Sequence, residues 1–154
     1  VEIGSKVSAM TSKELKREFV TAGMLQSDTM PRFKFSPDAV FFNKDGIITG
    51  GFETKSKAGK AHIEYMVANE LPKEHFFQCL CPMVMDKAVD WWAFAHYDDR
   101  DMVNPLFLTG IKREDYADLI AECEVLISDF LKELDRRTIE LGGYYTEELT
   151  LGAN

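Results

Sequence analysis

The chain of 154 residues is long enough for one domain with a hydrophobic core and too short for two. No apolar run approaches the roughly 20 residues that a membrane span requires, and the N-terminus lacks the pattern of a signal peptide, which argues against a membrane or exported protein. The net charge of −8 argues against broad nucleic-acid binding, although residues 31–60 carry six basic and three acidic side chains.

The first predicted element is a helix over residues 11–23. Thr11 and Glu14 have the spacing of a capping box, and Leu15, Phe19 and Val20 give the segment an apolar face. Residues 26–32 contain Ser, Asp, Thr and Pro, and they are predicted to form a loop. Residues 1–30 are therefore interpreted as a short N-terminal helical segment.

A β-hairpin follows. Residues 38–42 have a strand-like pattern, residues 43–46 have turn chemistry, and residues 47–55 form a second extended run. Gly50 and Gly51 interrupt that run, which indicates either a bulge or the close approach of another backbone.

The remainder of the chain predicts helices and two more strands. A helix over residues 58–71 places Ile63, Met66 and Val67 on one face, and a second helix spans residues 74–85. Next come a central strand over residues 89–97 and a short strand over 106–111. A long amphipathic helix follows from 115 to 141. Its apolar stripe occupies positions 116, 119, 120, 123, 126, 127, 130, 131 and 134. The expected architecture is an α/β core over residues 31–141, a mixed sheet flanked by helices, followed by a tail over 142–154.

Candidate site residues lie on the hairpin, in Ser-Pro-Asp38 and Glu53-Thr-Lys55. Glu53 and Lys55 project from the same face because side chains alternate along a strand, and the hairpin folds Asp38 toward them. Two adjacent carboxylates are costly unless a cation compensates, and oxygen ligands suit Mg²⁺ or Mn²⁺. The backbone carbonyl of Thr54 is a further predicted ligand. Lys55 can then orient a water molecule for attack on phosphorus.

Spacing alone does not make this site specific. A Glu-x-Lys triplet on an exposed strand usually forms a solvated charged face, and Ser-Pro-Asp is a common turn. Two observations favour a nuclease site. Phe52 and the pair Ile47-Ile48 indicate an interior strand, and the basic segment 31–60 coincides with the carboxylates.

Further motifs then carry a family resemblance. The first follows the hairpin and reads His75-Phe-Phe-Gln78. The second is an aromatic strand with a polar turn, Trp91-Trp-Ala-Phe-Ala-His-Tyr97-Asp-Asp-Arg100. The third precedes the last helix and reads Ile111-Lys-Arg-Glu-Asp-Tyr116. In order and spacing, residues 35–140 resemble the phage lambda exonuclease family of the PD-(D/E)xK nuclease superfamily. The resemblance implies a metal-dependent exonuclease that acts on the ends of double-stranded DNA.

The resemblance also implies roles for individual residues. Asp38 and Glu53 would bind Mg²⁺ or Mn²⁺, Lys55 would activate the water, and Gln78 would orient the site. Family members carry a further acid on an N-terminal helix, for which Glu14 is the better candidate and Glu18 the weaker. The resemblance suggests Lys57 and Lys60 as DNA-binding residues. Arg32 and Lys34 are added because they belong to the same basic segment.

The family further implies a ring-shaped homotrimer, a single-strand annealing protein as partner, and a role in phage-type recombination in the cytoplasm of a phage-infected or prophage-bearing bacterium. Two alternatives stay open: an endonuclease or junction-cleaving relative, and a non-catalytic DNA-binding module with the same fold. A relative with an iron–sulfur cluster is disfavoured because its cysteine ligands are lacking.

Other reactive residue types are assigned to structure. Cys79, Cys81 and Cys123 have spacings that suit neither disulfides nor zinc, and they are predicted to be packing residues in a reducing setting. The three histidines are predicted to be too scattered for a zinc triad, and Trp91 and Trp92 are predicted to pack in the core.

Overall fold

The structure is a computed structural model, and it describes residues 2–56 and 59–142. The elements in chain order are α1 (Glu2–Leu15), β1 (Leu25–Gln26), β2 (Lys34–Phe35), β3 (Ala39–Phe42), β4 (Ile48–Lys55), α2 (Lys60–Ala68), α3 (Lys73–Met85), β5 (Trp91–Tyr97), β6 (Leu106–Lys112), a 3-10 turn (Arg113–Tyr116) and α4 (Ala117–Glu140). The predicted mixed α/β class is confirmed.

The main sheet has four strands in the order β3-β4-β5-β6. The hairpin pair β3 and β4 is antiparallel, β4 and β5 are parallel, and β5 and β6 are antiparallel. The parallel pair requires a crossover, which α2 and α3 supply. The strand predicted to be central, β5, is an interior strand of this sheet, while β1 and β2 form a separate two-stranded sheet.

Each face of the sheet packs against helices. One face carries Trp92, Phe94 and Phe107, and it is covered by α2, α3 and α4. The other face carries Phe52 and Ala95, together with Val7 from α1. Because β4 and β5 are covered on both faces, their side chains are mostly buried, as expected for parallel neighbours.

The predicted N-terminal helix was wrong in both of its boundaries. Thr11 lies inside α1 with a fully buried side chain, so it does not cap the helix. The helix ends at Leu15, and Lys16 adopts a positive φ of 52°. Val20 then pairs with Val40 through two backbone hydrogen bonds of 2.9 Å, so the apolar residues after Leu15 extend along the sheet edge.

Two predicted helix faces also differ from the structure. In α2, Ile63 and Val67 are exposed, and the helix instead packs through buried His62 and the ring of Tyr65. In α4, the predicted stripe is only partly covered, because Leu126 and Phe130 remain exposed. None of the helices in the described part of the chain is long and apolar enough to cross a membrane.

Candidate active site

The β3–β4 hairpin determines where the two candidate carboxylates lie. Ala39 pairs with Phe52, so extending this antiparallel register by one residue places Asp38 opposite Glu53. Paired residues project from the same face, which for Glu53 is the face covered by α3. The backbone N–H of Thr54 donates to Asp38 Oδ2 at 2.6 Å and fixes that carboxylate at the strand end. The role of the Thr54 carbonyl as a ligand stays a prediction.

Glu53 is the most buried carboxylate of this group, with 5% of its surface exposed. Its Oε1 accepts a hydrogen bond from Lys55 Nζ at 2.6 Å and another from Gln78 Nε2. Its Oε2 is also buried, and among the described residues it has no hydrogen-bond partner. A buried carboxylate oxygen without a partner is costly, so Glu53 is poised to accept a further cation or donor.

The electrostatics of Glu53 reflect this environment. Burial raises the pKa of the Glu53 carboxyl, and the negative charge of Asp38 raises it further. The hydrogen bonds from Lys55 and Gln78 act in the opposite direction, but the net direction of the pKa is upward. The negative charge of Asp38 therefore acts on Glu53, in agreement with the strand register that places the two residues opposite each other.

This pair of carboxylates fits a hard divalent cation. Within residues 2–56 and 59–142, no three side chains of His, Cys, Asp or Glu converge in the manner of a closed metal site. Mg²⁺ is commonly held by only one or two carboxylates, with water and substrate phosphate filling its other positions. The partnerless Oε2 of Glu53 and the exposed carboxylate of Asp38 match that donor set.

Gln78 reaches the site from α3, which crosses the face of the sheet that bears Glu53. It shares Glu53 Oε1 with Lys55, so two side chains, one from α3 and one from β4, hold one carboxylate oxygen. The next residue, Cys79, is fully buried, and its burial and the charge of Glu53 raise the pKa of the thiol to about 12. Cys79 is therefore protonated at neutral pH and is a packing residue.

The residues predicted to extend this site are placed less favourably. Glu14 is exposed on α1, which packs on the opposite face of the sheet from Glu53, and Glu18 is also exposed after α1 has ended. The structure therefore does not bring the predicted N-terminal acid to the carboxylate pair. The physical reason is that the apolar residues of α1 pack against the far face of β5 and β6.

The predicted DNA-binding residues occupy varied positions. Lys60 is exposed in the first turn of α2 and lies 3.4 Å from Glu64, while Lys34 is exposed on β2. Arg32 forms an ion pair with Asp135 of α4. Lys57 lies outside the described residues.

The structure also reveals polar pairs that sequence reasoning missed. The Nδ1 atoms of His62 and His96 lie 2.9 Å apart although 34 residues separate them. At the end of β5, Arg100 forms two hydrogen bonds to the carboxylate of Asp98, at 2.8 and 2.7 Å, which hold the pKa of Asp98 well below its usual range. The Asp-x-Arg spacing was a local signal for the second pair, whereas the histidine pair depends on how α2 packs against β5.

Comparison with known proteins supports a nuclease fold. The chain is similar to an alkaline exonuclease, LHK-Exo, from Laribacter hongkongensis, at 29% sequence identity and a TM-score of 0.77; the match covers 91% of this chain and 69% of that protein. A structure of LHK-Exo in complex with dAMP matches at 24% identity and a TM-score of 0.67, over 92% of this chain and 72% of the other. No family model and no curated protein matches the chain. The structural likeness confirms the predicted resemblance to the phage lambda exonuclease family and a PD-(D/E)xK-like core.

Proposed function

We propose, from this likeness and from the geometry of the carboxylate pair, that the chain is a Mg²⁺- or Mn²⁺-dependent exonuclease that hydrolyses phosphodiester bonds from the ends of duplex DNA. One observation carries the proposal: within the described part of the chain, Oε2 of the buried Glu53 has no hydrogen-bond partner, while a second carboxylate lies opposite Glu53 on the paired strand and an ammonium group contacts Oε1. The substrate class follows from the likeness to an alkaline exonuclease.

In this proposal, Asp38 and Glu53 hold the cation. A divalent cation held there would offset charge on the phosphate oxygens and would lower the pKa of a bound water. Asp38 is kept in place by the backbone N–H of Thr54, and Glu53 is kept in place by Gln78. Because these contacts exist before substrate binds, little reorganisation is needed at the moment of reaction.

Lys55 acts on the attacking water and on the charge that develops during attack. Its ammonium donates to Glu53 Oε1 at 2.6 Å, and 26% of the side chain is exposed, so the group can reach both the carboxylate and the substrate side of the site. An ammonium in this position would orient the water for in-line attack and stabilise the negative charge that develops on its oxygen.

The wider biological role follows from the family resemblance. We propose that Lys34, Lys60, Arg32 and Lys57 contact the DNA backbone, that the chain acts as a homotrimer, and that it works beside a single-strand annealing protein in phage-type recombination. The setting would be the cytoplasm of a phage-infected or prophage-bearing bacterium.

The proposed exonuclease activity is tested on linear and covalently closed circular duplexes with Mg²⁺, with Mn²⁺ and with EDTA. We expect metal-dependent release of nucleotides from the linear duplex, no digestion of the closed circle, and no cleavage in EDTA. Digestion of the circle would instead support the endonuclease alternative. Complete absence of cleavage with either metal would support the non-catalytic module.

A matched pair of variants assigns the activity to this site. Lys55→Ala is expected to lower kcat by about 100-fold or more, because it removes a group that stabilises developing charge. Lys132→Ala removes an exposed lysine of α4 and is expected to retain wild-type activity. Unchanged activity in Lys55→Ala would remove Lys55 from the mechanism.

A further inference from the structure

A buried pair of histidines lies beside the candidate active site. His62 and His96 are 1% and 0% exposed, and their Nδ1 atoms are 2.9 Å apart. A hydrogen bond between two imidazole nitrogens requires one to carry a proton and the other to present a lone pair. The pair is therefore an ordered donor–acceptor unit, with the ring of Tyr65 against His96 and the polar residues Asp98 and Asp101 near His62.

The backbone carbonyl of Asn104 determines the direction of this hydrogen bond. It lies 2.8 Å from His62 Nε2, and since a carbonyl can only accept, His62 carries its proton on Nε2. In the neutral ring, Nδ1 of His62 is then the acceptor. His96 must consequently donate through Nδ1–H, so both tautomers follow from one carbonyl.

The position of the histidine pair relative to Lys55 connects it to the proposed chemistry. Lys55 and His96 are register partners on the parallel strands β4 and β5, so their side chains are neighbours on one face of the sheet. His62 lies in the first turn of α2, with only residues 56–61 between it and Lys55. The His62–His96 bond therefore connects the start of α2 to the strand that flanks Lys55.

We propose that His62 and His96 are positioning residues for Lys55: their Nδ1–Nδ1 hydrogen bond fixes the end of β4 and the start of α2 so that the ammonium stays on Glu53 Oε1. This inference rests on the proposed nuclease function. It differs from a purely structural role because it requires the pair to affect the chemical step even when the stability of the fold is maintained.

The experiment compares two variants in which no histidine that remains at the pair lacks its histidine-side hydrogen-bond partner. His96→Asn keeps an N–H donor at the Nδ1 position and is expected to retain kcat within about threefold of wild type. His62→Leu/His96→Leu replaces both partners by apolar groups, a change that can be nearly neutral for stability. We expect this double variant to keep its melting temperature and KM but to lose about tenfold or more in kcat.

A folded double variant with wild-type kcat would overturn the inference, as would a tenfold loss of kcat in His96→Asn. If the double variant does not fold, His62→Gln replaces it, because Gln retains a donor toward Asn104 and has no group at Nδ1. A tenfold loss of kcat in His62→Gln supports the inference, and an unchanged kcat overturns it.

A measurement independent of activity accompanies these variants. Two-bond ¹H–¹⁵N correlations of the histidine rings are expected to show His62 protonated at Nε2 and His96 protonated at Nδ1, and the reverse assignment would overturn the inference. Absence of any cleavage by the wild type would instead refute the proposed function, so the two failures are distinguishable.

Discussion

At the scale of single residues, Glu53 is where burial and charge conflict most directly. An ionised carboxylate at 5% exposure is unfavourable, and the neighbouring charge of Asp38 adds to the cost. The hydrogen bonds from Lys55 and Gln78 satisfy one of its oxygens only. The protein therefore keeps a destabilising group in its interior, which is typical of sites where binding or catalysis requires it.

This conflict predicts a pH dependence of stability in the absence of divalent metal. The folded state raises the pKa of Glu53, so the folded protein binds the proton more tightly than the unfolded chain does. The stability that Glu53 contributes is thus fully present below its ordinary pKa and is lost as the pH rises through the raised pKa. Urea unfolding at a series of pH values is expected to show this loss in the wild type and not in Glu53→Gln.

The control for this measurement is Glu122→Gln, which neutralises an exposed glutamate of α4 and should follow the wild-type profile. Millimolar Mg²⁺ is expected to stabilise the wild type at high pH and to have little effect on Glu53→Gln, because only the ionised carboxylate binds the cation. Identical pH profiles for the wild type and Glu53→Gln would contradict the assignment of a raised pKa.

Local sequence was sufficient to bring the main site residues together. Glu53 and Lys55 share a face because they are two positions apart on a strand, and Asp38 reaches them through one hairpin. The His62–His96 contact could not be predicted in this way, because it depends on how α2 packs against β5, and α3 lies between these two elements in the chain. Residue patterns report local periodicity, whereas this contact is set by long-range packing.

At the scale of elements, β4 shows why a glycine pair stands in an interior strand. A Cβ on Gly51 would lie 2.5 Å from the backbone oxygen of Ala39 and 2.5 Å from the ring of Trp92, and a Cβ on Gly50 would overlap the ring of Trp91. The predicted close approach of another backbone is confirmed at Gly51, next to the oxygen of Ala39, whereas the close neighbour of Gly50 is the side chain of Trp91. The register irregularity of the hairpin lies elsewhere, between Phe41 and Phe42.

Gly51→Ala is therefore expected to lower the free energy of unfolding by about 1–3 kcal/mol, the usual cost of overpacking a core. The matched control is Gly23→Ala, where a Cβ would meet nothing within 4 Å and the expected change is within about 0.5 kcal/mol. Chemical denaturation followed by tryptophan fluorescence measures both. Equal stability of the two variants would show that the strand adjusts without cost.

The junction between α3, β5 and β6 depends on Arg113. Its Nε donates to the carbonyl of Val89 at 2.9 Å, and its Nη2 donates to the carbonyls of Met83 and Asp86 near the C-terminus of α3. A cation at this end of a helix is also favoured by the helix dipole. The residue appeared in the sequence only as part of the segment before the last helix, with no local pattern to indicate its partners.

Arg113→Met is expected to lower the free energy of unfolding by about 2 kcal/mol, because charged donors to buried carbonyls are among the stronger hydrogen bonds. Lys112→Met changes an adjacent exposed cation and should have little effect. Thermal unfolding gives the melting temperatures of both variants, and that of Arg113→Met is expected to be the lower. A melting temperature for Arg113→Met equal to that of Lys112→Met would show that water replaces the arginine without cost.

Element boundaries were predictable where turn chemistry marks them and unpredictable where packing determines them. The hairpin and both later strands match their predicted ranges closely. The first helix does not, because burial of Val7 and Thr11 against the sheet extends it toward the N-terminus and the pairing of Val20 with Val40 stops any continuation. Tertiary contacts of this kind override a capping pattern.

At the scale of the whole molecule, the basic segment 31–60 is partly neutralised by the acidic body. Arg32 pairs with Asp135 on α4, and Lys60 approaches Glu64. The sequence predicted a locally basic patch but not these pairings, which join segments far apart in the chain or across one helix turn. Broad, charge-driven binding to nucleic acid is therefore weaker than the count of basic residues indicates.

The exposed apolar residues of α4 predict self-association. Val125, Leu126 and Phe130 are between 60% and 64% exposed on one helix, which is unusual for an isolated monomer. Light scattering is expected to give the mass of a trimer, and Leu126→Glu/Phe130→Glu is expected to dissociate it, whereas Val67→Glu on α2 should not. A wild-type protein that stays monomeric at high concentration would contradict the proposed ring.

Anomalous diffraction from crystals soaked in Mn²⁺ tests whether Asp38 and Glu53 share one hard divalent cation beside Lys55. We expect a manganese peak within bonding distance of both carboxylates in the wild type and no peak there in Glu53→Gln. A manganese ion bound elsewhere, with the space between Asp38 and Glu53 empty at saturating Mn²⁺, would contradict this expectation.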